Sequence, residues 1–157
     1  MATVKSDIVT LLDSTDASKK IVDPSLAGGK LRAYPFSYDT GASGPATGDV
    51  IQLVEVPASS RVLAIYVVHE AMTSAGGVAG ADFGDSGDAD RFVTALDMDA
   101  ASAGKFLALR HEDANLADKT LGIGYRYASA TRIEAKVTGE AWAANKRLDG
   151  FVVVSVE

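Results

Sequence analysis

The sequence contains no cysteine. Disulfides, thiolate nucleophiles, Cys-based zinc sites and iron–sulfur clusters are therefore excluded. Only two histidines are present, His69 and His111. They are too far apart in the chain to form the close pair that a cupin-type metal site requires, and both are expected to be structural or surface residues. Positive charge is in the minority: 15 Lys and Arg stand against 21 Asp and Glu, for a formal charge of −6. A global basic footprint for nucleic acid is missing. Long apolar runs are missing as well. The longest, at 62–68 and 151–156, fall far short of the roughly 20 residues that span a bilayer. The first residues carry an early acid, Asp7, and no apolar signal core. No membrane and no nucleic-acid partner is expected.

What is present is strand chemistry. After Gly29 the chain breaks into short apolar segments separated by Gly, Pro, Asp and Ser, the pattern of an all-β sandwich, jelly roll or barrel. Residues 30–38 alternate loosely, and Pro35 predicts an edge position. In residues 49–56, Ile51 and Leu53 share one face, with Val50, Val54 and Val56 on the other. Residues 61–71 are apolar on both faces, which predicts the centre of a sheet. Further strands are expected at 79–83, 91–94, 105–109, 119–127, 131–137 and 147–157, with Ile133, Ala135 and Val137 inward. An acidic loop is expected at 84–90 and one helical turn near 97–103.

Residues 1–29 differ from the rest. Val4, Ile8, Leu11 and Leu12 follow i, i+4, i+7, i+8 spacing, which suits a short amphipathic helix. A polar stretch then leads to the apolar pair Ile21 and Val22. This segment is expected to be an extended N-terminal arm with two apolar contact points, ahead of one domain at 30–157.

No catalytic constellation emerges. Residues 84–87 read Gly-Asp-Ser-Gly, as around the nucleophile of chymotrypsin-like proteases. The chain is too short for that double barrel, however, and His69 lies too close in sequence to Ser86. Asp82, Asp85, Asp88 and Asp90 are the calcium candidates, because calcium takes clustered oxygen ligands. Their spacing is not that of an EF-hand, and Asp and Gly at these positions are accounted for by turn geometry, so no metal is assigned. The Gly-rich loops at 41–48 and 76–80 match no phosphate-binding fingerprint. Tyr125, Tyr127 and Trp142 would supply a stacking platform if exposed. Glu134 and Glu140 are candidates for a hydrolase pair, but spacing gives them no geometry. The expectation is a protein that is not an enzyme and needs no cofactor.

Several stretches, in order, resemble one known family. Residues 48–63 carry Gly-Asp, then Ile51, Leu53, Pro57 and Arg61-Val62. Residues 82–92 carry Asp82, Gly84 and Asp90-Arg91-Phe92. A third element runs from Thr131 to Gly139, and a β-branched run at 148–156 closes the chain. Together these resemble the decoration (cement) proteins of tailed-bacteriophage capsids. The resemblance implies a jelly-roll or β-sandwich domain, assembled as a homotrimer, on the outer capsid surface of the virion. It further implies a non-catalytic role, bridging neighbouring copies of the major capsid protein. In that setting Ile8, Leu11, Leu12, Ile21 and Val22 of the arm are the expected capsid contacts. The alternative is a tail-fibre or adhesin β-sandwich that binds host-surface glycans.

Overall fold

The computed structural model describes residues 30–73, 77–100, 105–108 and 124–156, for 105–108 the backbone alone. The expected arm, and with it Ile8, Leu11, Leu12, Ile21 and Val22, lies outside the described residues, as do His111 and residues 119–123.

Nine strands are described: β1 (Lys30–Asp39), β2 (Val50–Val56), β3 (Ser60–His69), β4 (Ala79–Asp85), β5 (Asp88–Asp97), β6 (Lys105–Ala108), β7 (Tyr125–Tyr127), β8 (Thr131–Gly139) and β9 (Arg147–Val156). They form two antiparallel sheets. The first is ordered β1-β9-β3-β6, with β7 also paired to β3; the second is ordered β2-β8-β4-β5. β6 pairs with residues 64–67 of β3 and β7 with residues 60–62, so the two share one position at the edge of β3.

The pairing is nested. β1 pairs with β9, β2 with β8, β3 with β6 and β7, and β4 with β5. Successive pairs fall in alternate sheets. A long antiparallel hairpin wrapped into two facing sheets has this order, which defines the jelly roll. The expected all-β fold is therefore the observed one.

The core lies between the sheets. From the first come Val62, Ile65, Val67, Leu148, Val152 and Val154; from the second come Phe83, Phe92, Ile133, Ala135 and Val137, all buried. Ile133, Ala135 and Val137 point inward, as strict alternation requires. β3 is central, between β9 and the β6/β7 edge, and Pro35 sits on β1, which among the described residues pairs only with β9. Proline has no N–H to give a ladder, so an edge is where it is tolerated.

Three expectations are corrected. In β2, Ile51 and Val56 are both buried although five residues apart. A bulge between Gln52 and Val54 inserts Leu53 into the register, and an extra residue swaps which face the rest of the strand presents. The expected acidic loop is a tight hairpin. Asp82 and Asp85 lie on β4, Asp88 and Asp90 on β5, and only Ser86 and Gly87 form the turn. Asp97 ends β5 and is not part of a helical turn.

Candidate interaction surfaces

The clustered aspartates of the β4–β5 hairpin are committed to the protein itself. Asp85 is buried. Its Oδ1 accepts the amides of Gly87 at 2.8 Å and Asp88 at 3.1 Å. Its Oδ2 accepts Arg91 Nε at 2.5 Å and the Tyr127 hydroxyl at 2.5 Å. The Arg91 guanidinium lies 4.0 Å from the centre of the Tyr125 ring, and the Tyr125 and Tyr127 rings meet edge to face. Burial by itself raises the Asp85 carboxyl, but the hydrogen bonds from Arg91, Tyr127 and Gly87 outweigh it and hold the group below its ordinary value. Burial, and then the adjacent Asp85 carboxylate, push the Tyr127 hydroxyl far up. Because Tyr127 belongs to the first sheet and Asp85 to the second, this network pins the hairpin across the sandwich.

The other three aspartates have separate tasks. Asp82 Oδ1 accepts the amide of Ala95 at 2.7 Å. That amide sits where β5 bulges against β4, at a residue with φ of 47°, so the carboxylate satisfies a donor the ladder has released. Asp88 and Asp90 share a side-chain hydrogen bond, which raises the first carboxyl and lowers the second. Asp90 Oδ2 also accepts the Thr94 hydroxyl at 3.0 Å. Among the described residues, no group of three or more His, Asp or Glu is placed to hold a metal ion.

The remaining candidates are not brought together. His69 is buried at the end of β3, with Nδ1 2.8 Å from the Glu70 carbonyl oxygen, while Ser86 is exposed at the hairpin turn. Trp142 and Tyr127 are buried, and Trp142 Nε1 donates to the Gly80 carbonyl at 3.1 Å. Tyr125 is half-buried under Arg91. The three aromatics thus form no open stacking platform. Glu140 accepts the Thr73 hydroxyl at 2.6 Å, whereas Glu134 faces Gln52 at 3.2 Å.

What the fold does present is two unlike outer faces. On the second sheet, Arg132, Glu134 and Lys136 alternate with the buried positions of β8. Arg132 Nη1 donates to Gln52 Oε1 at 2.7 Å, and its Nε lies 3.6 Å from Glu55. Lys136 stands opposite Asp82 in the register. This face carries both signs of charge and suits water.

On the first sheet the outward positions of β9 are Phe151 and Val153, between the buried Val152 and Val154. Register lines up Pro35, Phe151 and Tyr66 in one rung, and Ala33, Val153 and Ala64 in the next. Phe151 and Tyr66 stack at 5.0 Å with their planes 13° apart. These two rungs hold no charge. Charged groups return only towards the strand ends, where Arg147 Nε donates to Asp149 at 2.8 Å. A bulge between Val62 and Ala64 sets this register. From sequence, residues 61–71 are legible as apolar on both faces, but the alignment of their outer residues with those of β1 and β9 is not.

A third feature is an open cleft of about 520 Å³ beside the adjoining edges of β1 and β2, lined by Tyr38, Pro45, Asp49, Val50, Ile51 and Gln52. Burial, and secondarily Asp49, raise the Tyr38 hydroxyl above its ordinary value. Asp49 Oδ2 already accepts the Ala46 amide at 2.8 Å.

No protein-family model matches the chain, and no curated protein is significantly similar to it. Solved structures do share its fold. A chain in the capsid asymmetric unit of cyanophage Pam1 is 16% identical, with a TM-score of 0.62; the match covers 92% of this chain and 99% of that one. A chain in the capsid of Ralstonia phage GP4 is 17% identical, with a TM-score of 0.64; that match covers 82% of this chain and 86% of the other. At such identities the likeness is one of fold.

Proposed function

We propose that this protein is a structural component of a tailed-phage virion, a decoration or cement protein. It sits on the outer capsid surface and bridges neighbouring copies of the major capsid protein without catalysis. The observation that carries this reading is the fit of fold and size together. Matched chains in two phage capsid structures correspond to this one over nearly their whole length, so each is a small chain of similar extent. The commitment of the Asp82–Asp90 carboxylates to internal hydrogen bonds is consistent with a non-catalytic role.

In this reading residues 1–29 are an arm ahead of the domain, and Ile8, Leu11, Leu12, Ile21 and Val22 are its contacts with the shell. The domain assembles as a homotrimer. Each contact is modest, but repetition over a shell multiplies the stabilisation through avidity.

The experiment is the copy number of this chain per particle, by quantitative mass spectrometry of purified virions. Many copies in simple proportion to the major capsid protein support the reading. A handful of copies, or none, overturns it. Removal of residues 1–22 is expected to leave a folded protein that no longer decorates shells.

A further inference from the structure

The two outer faces differ in a way that folding does not demand. Either sheet buries its inner face, and in an antiparallel sandwich the outer face is ordinarily solvated and polar. The β2-β8-β4-β5 sheet follows that rule with Arg132, Glu134, Lys136 and Glu55. The β1-β9-β3 face breaks it with two consecutive uncharged rungs, Pro35·Phe151·Tyr66 and Ala33·Val153·Ala64, exposed at Pro35 and Ala33, half-buried at Phe151, Tyr66 and Val153, and buried at Ala64. Leu31, on the same side of β1, is 67% exposed.

From this contrast we infer that the outer face of the β1-β9-β3 sheet is the surface by which the domain lies against an uncharged, apolar patch of the shell protein, leaving the charged sheet towards solvent. The inference rests on the virion role proposed above.

Charge and area narrow the choice of occupant. Charge comes first. A face without a cation or an anion across its centre offers nothing to phosphate or acidic sugars, whereas a flat row of proline and aromatic rings suits a flat apolar protein surface. Area comes second. Strands about 4.8 Å apart and rungs about 7 Å apart make the patch on the order of 200 Å². A stable free-standing pair buries about 800 Å² on each partner. The patch is too small to hold two copies together in solution by itself. It is large enough to matter where other contacts already keep the chain close to a repeating surface, since its weak contribution is then multiplied.

The test uses the full-length protein and phage shells stripped of it. Phe151→Lys and Tyr66→Lys place a charge in the aromatic rung. Ala33→Lys does so on the edge strand β1, where the lysine has room to turn aside and folding is not at stake. Lys136→Glu on the opposite sheet is the control. The three face variants are expected to lose about tenfold or more in apparent affinity for shells, while Lys136→Glu stays within about twofold and Ala33→Lys, on the exposed edge strand, melts as the parent does. Unchanged binding by the face variants, with the parent binding well, overturns this inference and leaves the virion role standing. Failure of the parent to bind shells overturns both. A steep loss of melting temperature in Phe151→Lys and Ala33→Lys alike means the chain's own residues cover the face. A parent dimer in solution that Phe151→Lys abolishes means the occupant is a second copy. Either result rejects the shell as the occupant.

Discussion

At the carboxylate of Asp85 five donors converge, two from its own turn, two from Arg91 and one from Tyr127 across the sandwich. Removing the charge with Asp85→Asn leaves Arg91 and Tyr127 without the acceptor they are arranged around, and is expected to cost about 3 kcal/mol in urea unfolding at neutral pH. Tyr127→Phe removes one bond to a charged acceptor and should cost about 2 kcal/mol. The pH dependence follows from the depressed carboxyl. Its folded pKa lies below the unfolded value of about 3.9, so the contribution is complete above that value and is lost as pH falls through the folded pKa. Asp88, whose carboxyl is raised by its bond to Asp90, acts with the opposite sign, but it is more exposed and weighs less. Melting curves below about pH 4 should therefore drop more steeply for the parent than for Asp85→Asn. Sequence alone showed four nearby aspartates, weak candidates for calcium that turn geometry already accounted for. It did not show that Tyr127, 42 residues away, would occupy the same oxygen as Arg91.

Among the elements, β9 is the strand on which the first sheet turns, since it pairs with both β1 and β3. Gly150 lies at its middle, opposite Phe36 on one side and Val67 on the other. A Cβ there would run into the Tyr66 carbonyl oxygen and the Phe36 ring. Gly150→Ala is accordingly expected to destabilise by about 2 kcal/mol through overpacking, measured by urea unfolding. Bulges explain where alternation misled. In β2 the inserted Leu53 lets Ile51 and Val56 both reach the core. In β5 the bulge at Ala95 is secured by Asp82. Asp82→Ala should therefore cost about 1 kcal/mol in the same assay, less than Asp85→Asn. Neither bulge carries a glycine or proline signal at its extra residue, so period-2 reading passes over both.

For the molecule as a whole, the nested pairing brings the first and last strands together, with Lys30 opposite Val156 and Asp39 opposite Arg147. Among the described residues, the pairing of β1 with β9 closes the first sheet. Protein lacking residues 1–29 is expected to melt within about 2 °C of the full chain by calorimetry, a shift well under 1 kcal/mol for a domain of this size. Light scattering of the full chain and of the truncated form then assigns the proposed homotrimer either to the domain or to the arm. The two outer faces differ in character: charged residues run along β8 on one, and two uncharged rungs lie at the centre of the other.

Alternation of apolar and polar residues, proline at a strand edge and Gly-Asp turns determine locally that this chain is a β sandwich. They place β1, β3, β8 and β9 within a residue or two, because each such signal acts over a few neighbouring residues. The absence of cysteine and the scarcity of histidine are equally properties of sequence alone. The jelly-roll order, the anchoring of the β4–β5 hairpin by Tyr127 and the alignment of Pro35, Phe151 and Tyr66 into one uncharged rung were decided only in three dimensions. Each depends on register between strands far apart in the chain, and a bulge of a single residue is enough to reset which side chains meet.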